Sequence, residues 1–179
     1  MVVYVLSDAK NLRNKLKKIY QKQALFILSF FDLTPNFLSK KYYKLLNFLK
    51  NKSKNNNWQF VMTFYICFNN KKYLNALYIK DGQVKNIFGE SFTNKNCLIC
   101  FRHKKVLILF YFDVYSSSIK KQYDLKNIHL ILGIDNDKLN FNTVFLSNKF
   151  FEKLVLIGFN GETRAENNEN IIKKCENVC

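Results

Sequence analysis

The sequence predicts an α+β fold in which a mostly antiparallel sheet carries helices packed on one face. Apolar residues make up 48% of the 179 residues, which is enough to form a core. Residues 58–68 (WQFVMTFYICF) alternate between two faces, as a strand does, whereas residues 7–21 repeat apolar side chains at helical spacing. Runs of both kinds follow one another along the chain, and that order predicts the α+β class.

The chain is expected to form one domain over residues 1–179. A basic N-terminal helix lies within residues 1–22, a sheet-and-helix core spans residues 23–159, and a C-terminal loop and helix occupy residues 160–179. The apolar runs are too short to cross a bilayer. The charge alone would allow a peripheral membrane role, but no helix pairs a strong apolar face with an interfacial tryptophan, so no membrane partner is expected. Five cysteines without the spacing of a disulfide framework indicate a reducing compartment.

The first helix has Ser7 as a capping residue and runs to about Gln21. A buried strand follows in residues 24–31 (ALFILSFF). The second helix begins at Thr34, with Pro35 at its first helical position. The apolar face of the first helix comprises Leu12, Leu16, Ile19 and Tyr20, and that of the second comprises Leu38, Tyr42, Leu45, Leu46 and Leu49.

The middle of the chain is predicted as a loop, a strand and a polar excursion. Residues 51–57 (NKSKNNN) form the loop and residues 58–68 the strand, after which residues 69–83 form a basic excursion that ends in an Asp-Gly turn. Residues 84–93 are a further strand. Residues 94–115 are interpreted as a helix, although their apolar part alone has the pattern of a strand.

The last third of the chain begins with an abrupt change from polar to apolar residues. The polar, lysine-bearing residues 118–127 lead directly into the β-branched run 128–134, which is predicted as a buried strand. Two further strands are expected near residues 139–146 and at residues 153–159, before a terminal helix around residues 165–175.

The charge is large and uneven. The net charge is +16, and residues 1–134 hold 23 of the basic and 6 of the acidic side chains. A surface this basic usually meets phosphate, in nucleic acid or in anionic lipid. Only three of the cations are arginines, while Lys, Asn, Ile, Phe and Tyr abound. This composition is typical of an AT-rich organelle genome, so we expect a mitochondrial, organelle-encoded protein.

Few residues suggest bond chemistry. Cys97, Cys100 and His103 share roughly one face if their segment is helical, and Cys175 and Cys179 could complete a zinc site, which needs four ligands. A second C-x-x-C is absent from the sequence. A cysteine-dependent redox or metal protein therefore stays an alternative, and no catalytic residue, metal or cofactor is expected.

Lysine and aromatic residues are interleaved in residues 40–44, 69–73 and 119–123, a pattern typical of RNA binding. The polar run before the strand also resembles the signature segment of large-subunit ribosomal protein L five, the universal protein of the central protuberance. The matching positions are Ser118, Lys120, Tyr123, Asp124, Lys126, Asn127, Leu132, Gly133 and Ile134. Residues 38–63, 79–82 and 132–172 resemble other parts of that family in order and spacing.

The resemblance implies a structural constituent of the large ribosomal subunit that performs no catalysis. Its implied partners are ribosomal RNA, transfer RNA in the peptidyl site, which residues 69–81 would reach, and a protein of the small-subunit head. Contact with 5S ribosomal RNA is not implied, because Ser29 stands near the family's asparagine and no glycine follows it. The expected RNA-binding residues are Lys10, Arg13, Lys17, Lys40, Lys41, Lys71, Lys72, Tyr73, Lys80, Lys120, Lys121, Tyr123, Lys126 and Asn127.

Two other functions remain open at this point. One is an RNA-binding organellar protein outside this family, such as a ribosome assembly factor or a lineage-specific ribosomal protein. The other is the cysteine-dependent redox or metal protein.

Overall fold

A computed structural model gives the fold of this chain in two compact units. The N-terminal unit comprises Val2–Lys95 with Lys173–Cys179, and the second unit comprises Asn96–Ile172 with Met1. Each unit is described by itself. The structure describes residues 3–6, 12–29, 40–69, 71–89, 97–110, 124–135, 154–158, 163–164 and 172–174.

The N-terminal unit is a six-stranded sheet with two helices. Its elements are β1 (Val3–Leu6), α1 (Leu12–Lys17), β2 (Leu25–Ser29), α2 (Lys40–Asn56), β3 (Gln59–Phe68), β4 (Lys71–Lys80), β5 (Gln83–Gly89) and β11 (Ile172–Lys174). The strand order is β11-β1-β2-β3-β4-β5. Strands β1, β2 and β3 are parallel, whereas β4 and β5 extend the sheet as antiparallel strands.

Both helices of this unit pack against the same face of the sheet. Leu12 and Leu16 of α1 and Leu49 of α2 join one apolar cluster with alternate residues of β1, β2 and β3, including Phe26 and Phe60. Parallel neighbours need a crossover between them, and α1 and α2 lie in those crossovers. All five residues of β2 are buried.

One residue outside the regular elements ties this unit together. The backbone carbonyl of Gln21 accepts a hydrogen bond of 2.7 Å from the indole N–H of Trp58, and its side-chain Oε1 accepts one of 2.8 Å from the hydroxyl of Tyr4. Trp58 is fully buried. The segment between α1 and β2 is thereby fixed to strands on either side of β2.

The second unit is a five-stranded mixed sheet. Its elements are β6 (Cys97–Phe101), β7 (Lys104–Phe110), a 3-10 turn (Leu125–Asn127), β8 (Leu130–Asp135), β9 (Leu154–Gly158) and β10 (Thr163–Arg164). The order is β10-β9-β8-β7-β6, with β7, β8 and β9 parallel and the two outer strands antiparallel to their neighbours. No described helix is long and apolar enough to cross a membrane.

The predicted α+β class is confirmed, but the sheets are mixed, and their parallel strands depart from the expected mostly antiparallel arrangement. Strand β1 was not predicted, because four apolar residues in succession show no alternation. The predicted strands at β2, β3, β5, β8 and β9 and the Asp-Gly turn are confirmed. The single-domain organisation stays a prediction.

Several local predictions are wrong. Residues 51–56 continue α2 and do not form a loop, and residues 71–80 are strand β4 and not an excursion. The predicted helix at 94–115 contains the β6–β7 hairpin, and the predicted terminal helix contains strand β11. Tyr20, assigned to the apolar face of the first helix, is 91% exposed. Ser7, Thr34, Pro35, Leu38 and residues 139–146 lie outside the described residues.

Candidate functional site

The residues expected to bind RNA are spread over several elements of both units. Arg13 and Lys17 lie on α1, Lys40 and Lys41 begin α2, and Lys126 and Asn127 lie in the 3-10 turn of the second unit. Strand β4 carries the next group, Lys71, Lys72, Tyr73 and Lys80. Four others, Lys10, Lys120, Lys121 and Tyr123, lie outside the described residues.

Arg13 has a structural contact that its prediction as an RNA ligand did not anticipate. Its Nη2 donates a hydrogen bond of 3.3 Å to the backbone carbonyl of Lys44, and its guanidinium carbon lies 5.2 Å from the centre of the Phe48 ring. Both partners belong to α2. An exposed cation over an aromatic ring contributes about 0.5–1 kcal/mol, so Arg13 helps to hold α1 against α2.

Strand β4 does not provide the extended basic loop that was expected at residues 69–81. It pairs with β3 along one side and with β5 along the other, so its backbone is committed to the sheet. Tyr73 is half-buried there. Lys80, at the exposed end of the strand, lies 4.0 Å from the carboxylate of Asp81.

The 3-10 turn is closed by its own polar residues. The side-chain Nδ2 of Asn127 donates a hydrogen bond of 2.6 Å to Oδ2 of Asp124, and the backbone N–H of Asn127 donates one of 3.1 Å to the carbonyl of the same residue. Asn127 thus stabilises the turn that leads into β8, and Lys126 is exposed beside it.

The cysteine pair does not form the helical face that would support a zinc or redox site. Cys97 and Cys100 lie in strand β6 and not in a helix, so the shared helical face is not formed. His103 lies in the turn that follows. Across the described ranges, no cluster of three or more His, Cys, Asp or Glu residues could hold a metal ion.

Sequence analysis missed a group of buried polar side chains in the N-terminal sheet. Ser29 is the last residue of β2 and Thr63 lies opposite it in β3, both fully buried. Thr63 Oγ1 donates a hydrogen bond of 3.2 Å to the carbonyl of Leu28. Asn75 of β4, which is 2% exposed, donates one of 3.2 Å from Nδ2 to the carbonyl of Tyr73.

Ser29 differs from the other members of this group, because its hydroxyl has no hydrogen-bond partner in the part of the chain that the structure describes. It lies at the carboxyl end of a parallel strand that has a parallel strand on either side. The signal in the sequence was a single serine within the apolar run 24–31.

Comparison with known proteins finds enzymes, matched over part of their length. An amidase from Nesterenkonia sp. AN1, solved with butyramide, is 11% identical and shares 75% of this chain and 62% of its own, with a TM-score of 0.49. A carbon-nitrogen hydrolase from Helicobacter pylori G27 is 13% identical over 84% of this chain and 65% of its own, with a TM-score of 0.49.

A glutamine-dependent NAD+ synthetase from Acinetobacter baumannii is 18% identical over 81% of this chain and 33% of its own, also with a TM-score of 0.49. The chain therefore spans less than two thirds of the length of each of these three proteins. No family model and no curated protein matches it. At these TM-scores and identities, the likeness does not define the activity of this chain.

The identification as large-subunit ribosomal protein L five is wrong. The solved structures named above are all enzymes, and no family model supports a ribosomal assignment. The expected function, a non-catalytic ribosomal constituent, is therefore also wrong. So are the expected partners, which were ribosomal RNA, peptidyl-site transfer RNA and a small-subunit head protein. The two alternatives, an RNA-binding organellar protein and a cysteine-dependent redox or metal protein, are likewise not supported.

Proposed function

We propose that this chain is a hydrolase-type enzyme that takes a small amide at the carboxyl end of β2, beside Thr63 of β3. The observation that carries the proposal is the hydroxyl of Ser29, which is fully buried and without a described partner. An unsatisfied buried polar group costs about 1–3 kcal/mol, and such groups in native proteins call for an explanation. A bound ligand that forms a hydrogen bond with the hydroxyl of Ser29 would provide this explanation.

The neighbouring hydroxyl restricts the kind of group that fits. Thr63 gives its proton to the carbonyl of Leu28, so it offers a ligand only acceptor lone pairs. Ser29 can both donate and accept. Together they suit a group with N–H donors and a carbonyl acceptor, as a primary amide has, better than a carboxylate, which has no donor.

Small amides bound in structures of the Nesterenkonia amidase are the first substrates to test. Butyramide and acrylamide are bound in two structures of the Nesterenkonia amidase, and a third shows the acetamide moiety of fluoroacetamide added to that enzyme's active-site cysteine. This chain has five cysteines, of which Cys100 is exposed in the second unit. Labelling with fluoroacetamide, followed by peptide mass spectrometry, would identify a reactive cysteine.

The decisive experiment is ammonia release from butyramide and acrylamide by the purified full chain. Ser29→Ala is expected to lower the rate at least ten-fold while the unfolding midpoint stays unchanged or rises. Ser53→Ala is the matched control, because it removes a buried hydroxyl with two hydrogen-bond partners, and it should lose stability but not activity at permissive temperature. Absence of ammonia release, or full activity in Ser29→Ala, would overturn the proposal.

Mitochondrial location stays a proposal that rests on the AT-rich composition of the chain. Organelle fractionation with a protease-protection assay would test it. Recovery of the protein only outside the organelle would exclude that location, without bearing on the amide site.

A further inference from the structure

The β6–β7 hairpin is closed by two residues that are unusual for their backbone conformation. Arg102 and His103 both have positive φ, at 50° and 62°. Two-residue hairpin turns of this kind favour Asn-Gly or Asp-Gly, because most side chains clash in the left-handed region. The β4–β5 hairpin follows that rule, with Asp81 and Gly82 at φ values of 51° and 76°.

Left-handed conformations like those of Arg102 and His103 are unfavourable for residues with a side chain. Strain of this kind often marks a position that serves a function. Here the strained turn holds a guanidinium and an imidazole next to each other at the tip of the hairpin, and both are exposed. The guanidinium carbon of Arg102 lies 5.5 Å from the centre of the Phe101 ring.

The cationic surface extends from the tip along the second strand. Lys104 and Lys105 begin β7 and are both exposed, on opposite faces of the hairpin, with Lys105 on the face of its cross-strand partner Cys100. His129 is held beside them, since its backbone N–H donates a hydrogen bond of 2.9 Å to the carbonyl of Lys105 and its Nδ1 accepts one of 3.3 Å from the N–H of Lys105. The hairpin surface is defined here as Arg102, His103, Lys104, Lys105 and His129.

An exposed apolar side chain lies on the same hairpin. Leu98 of β6 is 47% exposed, and Cys100, on the same face of this strand, is also exposed. Cys100 pairs across the hairpin with Lys105. The hairpin surface therefore lies next to the exposed side chain of Leu98 on the same hairpin.

We propose that the hairpin surface docks this protein on an anionic lipid surface. A hairpin tip is convex, whereas sites for small molecules are concave, so it suits a flat partner. Cations attract the anionic headgroups, while Leu98 can enter the boundary with the acyl chains. The net charge of +16 favours the approach but does not select the hairpin.

The test is vesicle flotation of the full chain with phosphatidylcholine alone and with added phosphatidylglycerol. The variant Lys104→Glu/Lys105→Glu is compared with Lys80→Glu/Lys85→Glu, which makes the same charge change on the β4–β5 hairpin, where both lysines are also exposed. Circular dichroism verifies that both variants fold. We expect binding only to the anionic vesicles, at least ten-fold weaker in the first variant and less than three-fold weaker in the second.

A third variant separates the apolar contribution from the charge. Leu98→Ser leaves the cations in place and should weaken vesicle binding at high salt, where electrostatic attraction is screened. Equal losses in the two charge-reversal variants would mean that net charge alone drives binding, and would overturn the proposal. Failure of the chain to bind anionic vesicles, or binding of a single-stranded RNA in their place through the same lysines, would overturn it too.

Discussion

The hydroxyl of Ser53 joins helix α2 to the β4–β5 hairpin through Gly82. Ser53 Oγ accepts a hydrogen bond of 2.8 Å from the backbone N–H of Gly82 and donates one of 2.8 Å to the carbonyl of Lys50 one turn earlier. Ser53 is fully buried although its neighbours in the sequence are polar. The last turns of α2, which extend through a polar segment, are thus stabilised by a contact 29 residues away in the sequence.

Ser53→Ala should lower the free energy of unfolding by about 1–3 kcal/mol, because it leaves the N–H of Gly82 without its partner. Urea unfolding followed by the fluorescence of Trp58, the only tryptophan, would measure this. Asn55→Ala, at an exposed position of the same helix, should stay within about 0.5 kcal/mol of the wild type. Equal effects of the two substitutions would mean that the contact with Gly82 contributes nothing.

Gly82→Ala should destabilise the protein by about 1 kcal/mol for a conformational reason. Gly82 has a φ of +76°, which alanine adopts at a cost. A Cβ there would lie 3.7 Å from Cβ of Lys54 and 3.8 Å from the carbonyl of Lys50, which are ordinary contacts and not clashes. Gly82→Asn should cost less, because asparagine tolerates this region. A larger loss for Asn than for Ala in thermal unfolding would show that sterics dominate.

The turn at Asp81 and Gly82 was predictable from sequence, whereas the polar end of α2 was not. An Asp-Gly pair between two strand-forming runs specifies its hairpin locally. In contrast, residues 51–56 carry no apolar stripe, and their helical state depends on the distant contact of Ser53. Helix propensity summed over a short stretch of sequence does not include the effect of such a distant contact.

The β6–β7 hairpin shows a second limit. Residues 94–115 contain apolar residues at spacings compatible with both a helix and two strands, and no glycine or proline marks the turn. Arg102 and His103 adopt left-handed conformations in this turn, and nothing in the sequence predicts those conformations. The candidate amide site could not be predicted either, because a buried hydroxyl without a partner is a property of the packed sheet and not of Ser29 itself.

Ser29→Ala should leave the free energy of unfolding unchanged or raise it by up to about 1 kcal/mol, because the buried hydroxyl has no described partner to lose. Thr63→Val, which keeps the shape of the neighbouring side chain, should lower it by about 1 kcal/mol, since its hydroxyl donates to Leu28. Urea unfolding of both variants distinguishes them. A clear loss of stability in Ser29→Ala would show that its hydroxyl is satisfied in solution.

Tyr42 of α2 should make the N-terminal unit less stable in alkali. Burial raises the pKa of the Tyr42 phenol above its usual value of about 10, and the neighbouring Tyr43 raises it further. Since the unfolded chain ionises first, the stability from this group is complete below about pH 10 and is lost as the pH rises through the folded pKa. Tyr42→Phe should therefore flatten the fall in urea midpoint between about pH 9 and 11, measured by circular dichroism. Tyr20→Phe, at a 91% exposed position, should keep the wild-type fall, and an equal flattening in both variants would refute the role of burial.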